Sequence, residues 1–96
     1  MNVYSKLERM EDLPLEWHEV RRLGMQLYGV YTVMFERVMF NASELPKIRV
    51  KLFRTRASTT TTRELIAVFT DAEEARVMLS LLYSTLLDDM KLLGER

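Results

Sequence analysis

The stretch RTRASTTTTR, Arg54 to Arg63, sets four consecutive threonines among three arginines. Guanidinium and hydroxyl groups are the donors that hold phosphate oxygens, so the stretch suits a phosphate-gripping loop; it equally suits the polar tip of a hairpin. Its surroundings add more cations. Lys47, Arg49, Lys51, Arg54, Arg56 and Arg63 against Glu64 alone give residues 47–70 a formal +5 in a chain whose net charge is zero. Residues 1–12 and 13–46 carry −1 each and residues 71–96 carry −3. A basic ribbon of this kind can lie along nucleic acid, with its Arg and Lys meeting phosphates and Ser58 and Thr59 to Thr62 donating hydrogen bonds. The competing reading is structural: cations on the wet face of an edge strand deter sheet-to-sheet pairing, and threonine suits extended chain. A +5 patch is modest beside the basic domains that bind nucleic acid, so the six cations stand as candidate contacts for an alternative function.

Catalytic groups are sparse. His18 is the only histidine, and it falls between Glu16 and Glu19 on a helical stretch, where a solvated position is expected rather than a general base or metal ligand. Glu73-Glu74 and Asp88-Asp89 are adjacent pairs, which do not share a helix face, and each has a structural role at a cap or on a wet stripe. There is no cysteine, hence no disulfide and no thiolate metal site. No glycine-rich phosphate loop is present, because Gly24 and Gly29 sit in an apolar run and Gly94 stands near the end. These features point away from an enzyme and imply no cofactor and no metal.

Ninety-six residues suit one domain, and a chain of this size buries only about 60 to 68% of its unfolded surface, so a partner subunit is one source of further burial. Leu13, Trp17, Val20, Leu27, Tyr31, Met34 and Val38, with Gly24 in the gap, are spaced alternately four and three apart, which predicts an amphipathic helix over 13–40. Asp12 and Pro14 suit its start, Asn41 and Pro46 its end. From Leu23 onward apolar residues occupy more than one face, with Met25, Tyr28, Val33, Met39 and Phe40 among them. A helix apolar most of the way round needs cover on several sides. Leu27, Val30, Tyr31, Met34, Phe35 and Val38 are therefore candidates for an oligomer interface, with a second copy or another protein as partner. The same run also alternates as a strand would from Tyr28 to Val33. Gly24 and Gly29 each cost about 1 kcal/mol in a helix interior, so they mark either a close backbone approach or a break.

Leu23 to Phe35 is shorter than the ~20 residues of a bilayer crossing, and Met1 to Asp12 is polar rather than signal-like. No membrane partner and a cytoplasmic location are the expectations. Lys47 to Thr55 alternates, with Ile48, Val50 and Leu52 on one face and Lys47, Arg49 and Lys51 on the other. Glu64 to Thr70 is apolar on both faces, with Leu65, Ala67 and Phe69 opposite Ile66 and Val68, which predicts a more central strand. Together they make a hairpin over 47–70. Val3 to Leu7 is either a short strand or a frayed terminus. Asp71 followed by Glu74 reads as a capping box opening a helix over 71–94. That helix buries Ala75, Leu79, Leu82, Leu86, Met90 and Leu93 and wets Glu73, Arg76, Ser80, Ser84, Asp88 and Lys91. The fold class is α+β: two long helices packed on a small antiparallel sheet built around a hairpin, in the order (β)-α-β-β-α, as a single domain over 1–96.

The stretch ELIAVFTDAEEARVMLSLLYSTLLDDMKLLGE, Glu64 to Glu95, resembles the last strand and helix of the small dimerisation subunit of the KEOPS tRNA-modifying complex, through the Asp after the strand and an Arg early in the helix. It covers a third of the chain, and it implies a non-catalytic dimerising subunit of an RNA-modifying assembly. No functional residue is carried over. Two readings follow from the residues: an interaction or scaffold subunit that joins a second copy or another protein through apolar helix faces, or a small dimeric nucleic-acid binder using the basic hairpin.

Overall fold

In the computed structural model the described residues are 2–4, 13–39, 47–56 and 62–94. Strand β1 spans Asn2–Tyr4, and a single 3-10 turn at Leu15–Trp17 leads into helix α1, His18–Gln26. Strands β2 (Tyr31–Met39), β3 (Lys47–Arg56) and β4 (Thr62–Phe69) follow, and helix α2 runs over Ala72–Gly94. The fold is α+β. Its three long strands form an antiparallel sheet, β1 pairs with β2 as a short fourth strand, and the order β1-β2-β3-β4 leaves β4 at an edge.

The helix expected over 13–40 is two elements. It stops at Gln26, turns over residues 27–30 and returns as β2. Both periods fit the sequence there, and the choice falls to the β-branched and aromatic residues Val30, Tyr31, Thr32, Val33 and Phe35, which suit a pleated surface better than a helix. Gly29 makes the reversal, with φ of +107° in the region that only glycine enters without strain. The Tyr31 N–H donates to the Leu27 carbonyl and the Thr55 N–H to the Val30 carbonyl, so the turn passes directly into the sheet ladder. β3 thereby gains a hydrogen-bonded neighbour on each side, which a hairpin alone would not supply.

The core lies between the sheet and the two helices. Phe35, Ile48, Val50 and Leu52 meet Trp17, Val20, Leu23 and Leu27 from the α1 side and Ala75 and Leu79 from α2, all of them buried. Trp17 and Phe35 pack edge to face, with ring centroids 6.3 Å apart and planes at 89°. The ring of His18 is half-buried, and its Nε2–H donates to the Leu13 carbonyl at 3.0 Å, a tie that closes the approach to α1 rather than a solvated position. Helix α1 lies so close to β2 that a Cβ on Gly24 would stand 2.9 Å from Val33 Cγ2.

Asp71 caps α2 as its sequence position implies. Its Oδ1 accepts the Glu73 N–H at 2.8 Å and the Glu74 N–H at 3.1 Å, satisfying two of the donors that a helix start leaves open. Strand β4 departs from the sequence expectation: it is an edge strand, and it contains a bulge. Leu52 pairs with Ala67 and Phe53 with Leu65, so Ile66 is the extra residue and the faces exchange there. Ala67 and Phe69 point to the helices, while Leu65 and Val68 share the opposite face with Phe53 and Lys51.

Gly24→Ala should destabilise the fold by about 1–2 kcal/mol, although helix propensity alone favours Ala by about 1 kcal/mol, because the stiff Val33 cannot move aside. Urea denaturation of Gly24→Ala, Val33→Ala and the double variant checks this, and the double variant should show a favourable coupling. Asp71→Ala should cost about 1 kcal/mol in the same assay.

Candidate functional site

The six candidate interface residues do not form one surface. Leu27 and Phe35 are 0% and 3% exposed and belong to the core, where they have nothing left to offer a partner. Val38 is also buried, Tyr31 and Met34 are half-buried, and Val30 alone is exposed. The strand explains the division: Tyr31, Val33 and Phe35 face the helices, and Met34 and Val38 face the other side. The apolar surplus between residues 23 and 40 is largely sheltered by the chain itself, since a helix folded back on a strand uses faces that one long helix would leave open.

Unsheltered apolar surface lies elsewhere. Leu65, Ile66 and Val68 on β4 and Val77, Met78, Leu81, Leu87 and Met90 on α2 are all exposed. Leu15, Met25 and Tyr28 are exposed too, but on or beside α1. Val77, Met78 and Leu81 lie off the stripe of α2 that packs on the core, and for the far end of the helix the cause is a mismatch of lengths. At 1.5 Å per residue α2 is about 34 Å long and α1 about 14 Å. The inner stripe Ala75, Leu79, Leu82 and Leu86 packs on the core, while Met90, one turn further along that stripe, is 61% exposed rather than buried as its spacing implies. The side chain of Leu93 lies outside the described residues. On the β4 side, Phe69, Val77, Met78 and Leu81 wall an open groove of about 470 Å³, with Glu73 and Glu74 on its rim. Leu81 is 61% exposed there.

The basic residues are placed by β3. Lys47, Arg49 and Lys51 lie on the face away from the helices, as the alternation implies, and they meet Glu36 of β2, which stands directly opposite Arg49. Arg49 Nε and Nη2 donate to Glu36 Oε2 at 2.9 and 2.5 Å, and Lys51 Nζ lies 2.9 Å from Glu36 Oε1. Burial by itself would push the Glu36 carboxyl up, but hydrogen bonds from Lys51 and Arg49, reinforced by their charges, outweigh it and hold the group below its ordinary value. Two of the six cations are thus engaged within the sheet. Arg54 lies on the opposite face, in register with Tyr31 and Glu64, and Arg63 stands opposite Thr55. Arg56 pairs with Thr62 at the strand end, and its side chain, like residues 57–61 of the threonine tip, lies outside the described residues. Glu36 was invisible to sequence reasoning because a helix over 13–40 separates it from the hairpin; its spacing on an alternating strand was the signal that placed it.

A second open concavity, about 650 Å³, lies between the Trp17 turn and the start of α2, with Ile48, Asp71 and Glu73 in its wall. Two of its three acids have structural duties, Asp71 as the cap and Glu73 in a two-bond ion pair with Arg76, and Glu16 is the third. Among the described residues no three His, Asp or Glu side chains are grouped to hold a metal ion, and no helix is long and apolar enough to cross a membrane. Comparison with protein-family models, curated proteins and solved structures finds no match to this chain.

Glu36→Gln should destabilise the fold by about 1–2 kcal/mol, since hydrogen bonds to charged groups on a half-wet sheet face are worth roughly that much. The folded value of Glu36 lies below the unfolded one, so its contribution is full above about pH 4.5 and is lost as the pH falls through the lowered value. Chemical denaturation of wild type and Glu36→Gln across the acid range should therefore show the two stabilities converging at the low end.

Proposed function

We propose that this chain is a non-enzymatic interaction or scaffold subunit that joins a second copy or another protein through the apolar groove between Phe69 of β4 and the exposed flank of α2. One observation carries the reading: Phe69, Val77, Met78 and Leu81 wall an open groove of about 470 Å³ in which Val77, Met78 and Leu81 are exposed. A groove walled by exposed apolar side chains is the kind of surface that marks an interaction site. The alternative, a nucleic-acid binder, needs its cations to point outward together. Arg49 and Lys51 are held by Glu36 and Arg54 lies across the sheet from them, so the face available to phosphates is smaller than the charge count suggests.

Leu81→Glu and Val77→Glu test the reading, because both positions are exposed and such changes ordinarily shift stability by no more than about 0.5 kcal/mol. Each variant should keep the wild-type thermal midpoint while losing retention on a hydrophobic-interaction column. Unchanged retention, or cooperative unfolding on either substitution, would place these side chains in no interaction surface and end the proposal.

A further inference from the structure

We infer that the groove takes an amphipathic helix of another protein, one that carries lysine or arginine on either side of its apolar stripe. This rests on the interaction reading above and adds the form and the charge of the partner. The form follows from the layer of helices over the sheet. On one flank of α2 lies α1, where the Glu19 and Arg76 charges attract each other. On the opposite flank Val77, Met78 and Leu81 have no helix beside them among the described residues. Met78 and Leu81 fall three apart and Val77 and Leu81 four apart, the rows into which the side chains of a neighbouring helix settle. Met78 adds an unbranched side chain that adapts to an incoming one. A strand added at the edge of β4 would instead meet the bulge at Ile66, which interrupts the ladder that such pairing needs. Docking of a helix in the groove is the mode that fits.

Charge gives the chemistry of that helix. From Ala72 to Met90, α2 carries Glu73, Glu74, Asp88 and Asp89 against a single cation, Arg76. Two hydrogen bonds tie that cation to Glu73. Glu74 and Asp88 stand seven residues before and after Leu81, so both share its flank, and both are exposed. They are about 21 Å apart along the axis. The docking surface is thus an apolar centre with a carboxylate towards each end. A helix with a basic residue near each end of its apolar stripe meets both carboxylates at once, whereas an acidic helix would set like charges against them. Neither α1 nor α2 of a second copy suits the role. Helix α2 is itself acidic, and Val20 and Leu23, the apolar face of α1, are buried in their own core. The occupant is therefore a different chain.

Fluorescence anisotropy tests the inference with a labelled peptide of about 18 residues, leucines at helical spacing and lysines between them. Two further probes are the same peptide with glutamate for lysine, and the lysine peptide broken by a central proline. Wild type should bind the lysine peptide and bind the other two about tenfold or more weakly. Leu81→Glu and Val77→Glu should each weaken lysine-peptide binding about tenfold, although the added negative charge would tighten a merely electrostatic association. Glu74→Lys and Asp88→Lys should each weaken it about threefold to tenfold. Val68→Glu, on the opposite face of the sheet, should leave it unchanged. If Leu81→Glu binds the lysine peptide as tightly as wild type does, the groove is not its seat and the inference is overturned. Equal binding of the glutamate or the proline peptide overturns the basic charge or the helical form, and leaves the groove standing as an interaction face. Self-association of wild type that Leu81→Glu returns to the 11.4 kDa monomer in sedimentation equilibrium makes a second copy the occupant and overturns the inference while sustaining the interaction reading. A wild type that stays monomeric and binds none of the peptides also overturns it, and the interaction reading is then decided by the column retention of Leu81→Glu and Val77→Glu.

Discussion

The reversal at residues 27–30 is the constraint on which the rest of this chain depends. A continuous helix over the same residues would leave β3 with a single hydrogen-bonding neighbour and would carry Phe35 far from Trp17. Gly29, at a φ of +107°, lets the backbone fold back within four residues and sends Tyr31–Met39 into the sheet as β2. Gly24 completes the arrangement, because a helix that returns on its own strand must approach it closely, and the absent Cβ is what permits contact with Val33. Two glycines that are unfavourable as helix residues are thus the two positions that an α-turn-β unit needs.

From that reversal follow both the electrostatics of the sheet and the place of the unmet apolar surface. Putting β2 beside β3 sets Glu36 opposite Arg49 and within reach of Lys51, and the attraction of two cations outweighs the penalty of burying the carboxylate. The basic ribbon is partly neutralised by a residue thirteen positions upstream. The same step draws Leu27 and Phe35 into the core and empties the surface that one long helix would have presented. What remains uncovered is the outer flank and far end of α2 and the side chains of β4 that face away from the helices.

A domain of this size has only one core to offset the loss of chain entropy, and there is no cysteine to supply a covalent brace. Stability is carried by a single cluster in which Trp17, Val20, Leu23 and Leu27 meet Phe35, Val50 and Leu52, closed from α2 by Ala75 and Leu79. Met78, Leu81 and Met90 stand apart from that cluster. On a 23-residue helix they are the apolar side chains that the rest of the chain leaves in water.

Several features were legible in the amino acids alone. Asp71 before Ala-Glu-Glu specified a helix start because a short carboxylate reaches the N–H groups two and three residues ahead whatever the tertiary context. Ile48, Val50 and Leu52 alternating with Lys47, Arg49 and Lys51 specified a strand and its faces, since a period of two has one structural meaning. Where two periods fitted the same run, from Leu27 to Val38, local preference was nearly balanced, and only the hydrogen bonds offered by β3 and the packing offered by Trp17 resolved it. The position of Glu36, the bulge at Ile66, the edge location of β4 and the exposure of Met90 were likewise settled by tertiary structure, because each depends on which elements become neighbours and how far they extend. Local chemistry determined where elements begin and which way their side chains alternate; long-range contacts decided which faces are dry, which charges are paired and which apolar side chains stay in water.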